Sequence, residues 1–153
     1  MKYLGLVLIA LAIPCARVAA QDAQNAKADP FVGTWKLDAA KSKFNPGPPL
    51  KDETVTIAPD KVTVDETLAD GKTENWSYTP SPGSAATITG LENSTVTEKK
   101  VNERTIEHSW KMGTSTMQGR GVVSKNGKKM TYTLTGTNQE GKPVHNVLAF
   151  EKQ

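Results

Sequence analysis

From Glu53 onward, apolar side chains fall at every second position in short runs, and the runs stop at clusters of Gly, Pro, Asn or Asp. A period of two puts alternate side chains on opposite faces of an extended segment, so the pattern predicts β-strands. Glu53–Ala58 carries Val55 and Ile57 in phase, and Lys61–Leu68 carries Val62 and Val64. Thr73–Thr79 sets Trp76 and Tyr78 against Asn75, Ser77 and Thr79, and the short runs Ala86–Thr89 and Thr95–Val101 follow. In Thr105–Met112, Ile106, His108, Trp110 and Met112 share one face, opposite Glu107, Ser109 and Lys111. Lys129–Gly136 opposes Met130, Tyr132 and Leu134 to threonines, and Val144–Glu151 is the last run. Thr116–Ser124 is less regular. Gly119 and Gly121 flank Arg120 there, which predicts a bend or bulge.

Upstream, Phe31–Asp38 predicts the first strand. A short helical turn over Asp38–Phe44 follows with Asp38 as N-cap, and Asn45-Pro46-Gly47-Pro48-Pro49 predicts a loop. Asp70-Gly71 and Asn126-Gly127 carry the residues of two-residue type I′ hairpins, and Glu140-Gly141 marks another turn. Turn signals recur at a spacing of roughly 9 to 14 residues, the pattern of an antiparallel meander. No segment holds a long 3.6-residue period. The fold class is therefore all-β, an antiparallel up-and-down barrel of about 8 to 10 strands, because closure removes the two edges an open sheet leaves exposed. Whether side chains fill such a barrel or leave a cavity is open at this point.

The first 20 residues change the picture of where the chain works. Lys2, the apolar run Tyr3–Ile13 and the small residues Val18-Ala19-Ala20 form a signal-peptide pattern, too short to span a bilayer. Cleavage after Ala20 is expected, with residues 21–30 a flexible polar tail and residues 31–153 the barrel domain. The expected location is periplasmic or secreted, with no stable membrane insertion after cleavage. The leader takes with it Cys15, which is the sole cysteine, so a core alone must hold the fold. It also removes Lys2 and Arg17 and no acid, so the formal charge falls from +3 to +1. That leaves no electrostatic footprint for nucleic acid. A monomer is expected.

Phe31-Val32-Gly33-Thr34-Trp35-Lys36-Leu37, with its Gly-x-Trp near the start of the first strand, resembles the calycins, the lipocalins and intracellular fatty-acid-binding proteins. The run through Ala39-Ala40-Lys41-Ser42-Lys43-Phe44 and the Gly-Pro-Pro loop resembles small exported bacterial lipocalin-like proteins, and the likeness spans most of Phe31–Lys152. It implies a barrel that Trp35 closes at one end by packing, and a small hydrophobic or amphipathic ligand inside. The chain departs from the fatty-acid carriers where it matters for the ligand. Leu148-Ala149-Phe150 stands where they hold a carboxylate with Arg-x-Tyr, and Ala39–Leu50 is too short for their helical pair.

The candidate ligand-binding residues are Arg120, His108, Trp110, Tyr132, Trp76 and Tyr78. Arg120 is the natural grip for an anion, and its flanking glycines would let a ligand approach the backbone. His108 lies on an apolar face and would serve either as a polar anchor or as a core histidine. The aromatics would line a pocket or fill the barrel. His145 is expected in solvent, apart from His108, so no metal site is expected. Glu66, Glu98 and Glu107 sit among threonines and lysines and are expected to be solvated. No Gly-x-Ser-x-Gly elbow or phosphate-cradling glycine loop is present. The expectation is thus a non-catalytic binding protein without a cofactor. The alternatives are an interaction or inhibitor module working through its outer face and the loops Pro46–Pro49 and Pro80–Gly83, and a barrel isomerase or hydrolase.

Overall fold

The computed structural model describes residues 28–47 and 49–153. The expected signal peptide and most of the expected tail lie outside the described residues. The strands are β1 (Gly33–Leu37), β2 (Asp52–Ile57), β3 (Val62–Thr67), β4 (Thr73–Tyr78), β5 (Ala85–Thr87), β6 (Ser94–Asn102), β7 (Thr105–Met112), β8 (Ser115–Val123), β9 (Lys129–Thr137) and β10 (Pro143–Lys152). They form one antiparallel sheet in the order β4-β3-β2-β1-β10-β9-β8-β7-β6-β5. Every connection except β4–β5 joins strands paired in the sheet, and β1 pairs with β10 through Trp35–Lys152 and Leu37–Phe150. The two sheet ends, β4 and β5, are joined only by a bridge just past β5. Ser77 N–H donates to the Thr89 carbonyl at 2.9 Å, and Thr89 N–H returns the bond at 2.8 Å. The result is a nearly closed up-and-down barrel, as the period-two runs predict.

The apolar parity of each strand faces inward, in two clusters. Phe31, Trp35, Leu37, Val123, Met130, Leu148 and Phe150 form one, where the first and last strands meet across β1 and β10. Val62, Val64, Tyr78, Ile88 and Val96 form the other, beside the seam between β4 and β5. Trp35 is fully buried. Its indole Nε1 donates to the Phe31 carbonyl at 2.7 Å, and the Lys152 ammonium lies 5.0 Å from its ring centroid. The outer face is threonines, lysines and acids in surface pairs such as Lys36–Asp52, Lys41–Asp38 and Arg120–Glu107. Among the described residues no helix is long and apolar enough to cross a membrane.

Three local features differ from the sequence expectation. The predicted helical turn is a single 3-10 turn, Ala39–Lys41, with Asp38 as N-cap. Neither the Asp70-Gly71 nor the Asn126-Gly127 hairpin is a two-residue type I′ turn: in the latter Ser124 N–H donates to Lys129 O around a four-residue loop, and Asn126 keeps a negative φ. In the former, Gly71 N–H donates to Leu68 O and Leu68 N–H to Lys72 O, so the loop has three residues, and only Gly71 takes a positive φ. The Asp70 side chain accepts from Lys72 N–H at 3.0 Å and holds that shape; in the equivalent loop ending at Gly141, Asn138 at the Leu68 position accepts from Lys142 N–H at 2.9 Å. Finally, β8 pairs without a register break past Gly119 and Gly121, and the irregularity lies in β6 between Lys100 and Asn102. The paired glycines are there for space, as the site shows.

The barrel has two mouths. Asp29, Val32, Pro59, Pro80, Pro82 and Lys100 surround one, so the loop Pro80–Gly83 belongs to its rim. Asp29, within the expected tail, is tied down: it pairs with Lys100, and its carboxylate accepts from Phe31 N–H at 3.0 Å. Phe44, Leu50, Glu74, Glu92 and Gln139 surround the other mouth.

Candidate functional site

The interior is hollow. A chamber of about 360 Å³ opens through the first mouth and is lined chiefly by apolar side chains, among them Val55, Ile57, Val64, Ile106 and Phe150. A second, wider space of about 580 Å³ opens through the other mouth. Glu53, Trp76, Trp110 and Tyr132 line both, so these four side chains form the waist between them.

Alternation accounts for the aromatics at the waist. Trp76 and Tyr78 share the inward parity of β4, and His108 and Trp110 that of β7. Trp110 is the hub. Its ring meets Trp76 edge-on at 5.7 Å and Tyr78 edge-on at 6.0 Å, and lies 5.3 Å from the His108 ring. Its Nε1 donates to Tyr132 Oη at 2.8 Å, and Tyr132 Oη lies 3.2 Å from His108 Nδ1. On the far side of the imidazole, Nε2 lies 3.3 Å from Glu98 Oε2 and 3.4 Å from Tyr78 Oη. The arrangement that uses each proton once runs in one direction. Trp110 can only donate, Tyr132 passes its proton to Nδ1, and His108 Nε2–H and the Tyr78 hydroxyl both point at Glu98. Burial pushes both phenols far above their usual range, with the Glu98 carboxylate adding to the effect at Tyr78.

Gly119 and Gly121 make room for this network. A Cβ on Gly119 would stand 1.8 Å from Tyr132 Oη and 3.0 Å from Trp110 Nε1, and one on Gly121 would stand 3.3 Å from the Tyr132 ring. Small residues were the right signal for a close approach, but what approaches is Tyr132. Gly119→Ala is expected to cost about 1–3 kcal/mol by displacing that ring. Urea unfolding would show it, and Tyr132→Ala in the same chain should remove most of the added cost. If the two costs simply add, the contact is not the cause.

Five of the six candidate residues, His108, Trp110, Tyr132, Trp76 and Tyr78, thus come together inside the barrel. Arg120 does not join them. It is half exposed on the outer face, where its guanidinium pairs with Glu107 across β7 and β8. An anion grip inside the barrel cannot use it, because its strand parity is opposite to that of Met117, Gly119 and Val123. His145 is exposed on β10, and among the described residues no cluster fit to hold a metal ion occurs. Leu148 and Phe150 are buried in the core with no polar anchor.

Two glutamates expected in solvent are inside. Glu98 meets His108, and Glu66 accepts from Trp76 Nε1 at 3.0 Å. Glu107 stays outside with Arg120. The largest surprise is Glu53, which the sequence reading passed over. It is 9% exposed, opens onto both chambers and lies directly across from Glu66 in the β2–β3 register. No protein group donates a hydrogen bond to its carboxyl among the described residues. Fully sealed side-chain polar atoms there all have partners, so this carboxyl faces the hollow interior and not packed wall. Burial, with Glu66 and then Asp52 adding, pushes it up to about 8. Burial also raises Glu66, against the lowering effect of the Trp76 bond. The chain matches no protein-family model, and a search of curated proteins finds no match.

Proposed function

We propose that this protein is an exported, lipocalin-like binding protein that holds a small, largely apolar organic molecule inside the barrel without transforming it. The observation that carries the proposal is the first chamber: about 360 Å³, walled mainly by apolar side chains and open to solvent at one mouth. Enclosed apolar surface with a few convergent polar groups is the usual make-up of a small-molecule site. The Gly33-Thr34-Trp35 resemblance and the up-and-down barrel support the calycin likeness, and the leader pattern of residues 1–20 supports export.

Nile red, a neutral apolar dye, tests the binding. Its emission should rise and shift to the blue with the wild-type protein. Ile106→Trp, which fills the chamber, should remove most of that response while leaving the unfolding midpoint little changed. Native mass spectrometry of protein purified from its own host should show a co-purifying small molecule. A bare mass together with no dye response would overturn the proposal.

The Glu98–His108 contact inside the same chamber favours a second reading, a proton-transferring enzyme. The hydrogen-bond pattern weighs against it. Both imidazole nitrogens are already engaged, Nδ1 by Tyr132 and Nε2 by Glu98 and Tyr78, which leaves no lone pair to take a substrate proton.

A further inference from the structure

We propose that the waist of the barrel is a socket for an organic ammonium ion, with Glu53 as its counter-charge and the rings of Trp76 and Trp110 as its walls. This rests on the proposal that the interior binds a small molecule, and it adds the chemistry of the head group.

Four observations carry it. First, Glu53 is nine-tenths buried and takes no hydrogen bond from any described residue, while its carboxyl faces the hollow interior. A buried carboxyl without a partner costs free energy that a ligand donor would recover. Second, the two indoles flank the same space and meet edge-on at 5.7 Å. Their faces attract cations. Third, every side chain lining the second chamber that can carry charge is an acid: Glu53, Glu66, Glu74 and Glu92, apart from the Tyr132 phenol. The acids at that mouth, Glu74 and Glu92, therefore draw in cations and repel carboxylates. Fourth, the basic groups that line the first chamber are spoken for, since Lys100 pairs with Asp29 at the mouth and His108 is held by Glu98. The ligand class is thus an amine with an apolar body that extends into the first chamber, against Val55 and Ile57 beside Glu53 on β2.

Proton release gives a second signature. The ionisable groups that face Glu53 are Glu66 on β3, Glu74 on β4 and Tyr132 on β9, with Glu98 and His108 across the first chamber and Asp52 next to it on its own strand. Burial, with Glu66 and then Asp52 adding, keeps the Glu53 carboxyl protonated at neutral pH in the empty barrel. An ammonium docked on it stabilises the carboxylate and expels that proton.

Octylamine, octanol and octanoate share one tail and differ in head group, so calorimetric titration of all three at neutral pH tests the inference. Octylamine is expected to bind about ten- to a hundredfold tighter than octanol, with octanoate weakest. In Glu53→Gln the amine should lose most of that advantage over octanol, and a near-ultraviolet circular dichroism spectrum matching wild type shows that the variant is folded. Octylamine titrated into wild type in phosphate and in Tris should give heats that differ by the ionisation of close to one buffer molecule. Octanol binding without an amine preference, a preference that survives Glu53→Gln, or equal heats in the two buffers would each overturn the ammonium socket and leave interior binding standing. No binding by any of the three would overturn both.

Discussion

Between about pH 5 and about pH 8 the wild-type protein is expected to lose stability as the pH rises, and Glu53→Gln is expected to be nearly flat across the same range. The Glu53 carboxyl is pushed up to about 8 in the folded barrel, first by burial and then by Glu66 and Asp52, whereas in the unfolded chain it titrates near the ordinary glutamate value of 4.5. Between those values the folded state keeps a proton that the unfolded state has released. The folded state then binds more protons than the unfolded one, so stability falls with rising pH. The loss is complete above the folded value, where both states are ionised. The gap corresponds to a few kcal/mol, on the order of 5. Glu66 is raised as well and adds a smaller slope of the same sign. Asp38, Asp70 and Glu140 are lowered by lysine partners, but their contribution is lost only as pH falls through the acid range, outside this window. Glutamine keeps the shape of the protonated carboxyl and cannot ionise. The variant should therefore match wild type near pH 5 and exceed it by a few kcal/mol near pH 8. Urea unfolding at both ends of the range checks this, and parallel pH profiles for the two proteins would show that Glu53 is ordinarily solvated.

The same residue shows how far the sequence can be read. The strands were legible because apolar parity and turn glycines recur regularly. The inward placement of Trp76, Tyr78, His108, Trp110 and Tyr132 followed from that parity alone. The parity of the acids carried as much information. Glu53 is in phase with Val55 and Ile57, Glu66 with Val62 and Val64, and Glu98 with Val96, so each stands on an inward face. Their threonine and lysine neighbours suggested solvent, but those neighbours sit on the opposite face of the strand. Arg120 is the converse case. Its two glycine neighbours bear no side chain to mark the inner face, and only Met117 and Val123 further along fix the parity that turns Arg120 outward. Other features were not legible in one strand at a time. The Glu53–Glu66 juxtaposition depends on the β2–β3 register, and the hydrogen-bonded chain from Trp110 to Glu98 depends on the closing of β9 over β8 and β7. That closing needs the vacant positions at Gly119 and Gly121, whose role shows only once Tyr132 lies above them.

Trp35 separates the resemblance from the function. Truncation to alanine is expected to destabilise the barrel by about 3–5 kcal/mol, because it empties a fully buried site in a core that β1 and β10 share. The loss has three parts: the transfer of the indole, the cavity left behind, and the stranded Phe31 carbonyl that now receives the Nε1 hydrogen bond at 2.7 Å. Trp35→Phe keeps most of the volume and loses mainly the donor, so its cost should be about 1–2 kcal/mol. Lys152, which lies over the ring and donates to the Pro30 carbonyl at 3.0 Å, would keep the latter bond in either variant. Trp35 lines neither chamber, whereas Trp76 and Trp110 line both. Trp35→Phe should therefore shift the unfolding midpoint and leave octanol and octylamine affinities within about twofold of wild type, less than half a kcal/mol at the site. Trp110→Phe should do the reverse at the site, since it strips the donor that holds Tyr132 and one wall of the waist. A loss of amine affinity in Trp35→Phe as large as that in Trp110→Phe, measured on protein shown to be folded, would place the first-strand tryptophan in the binding site and refute its assignment to closure.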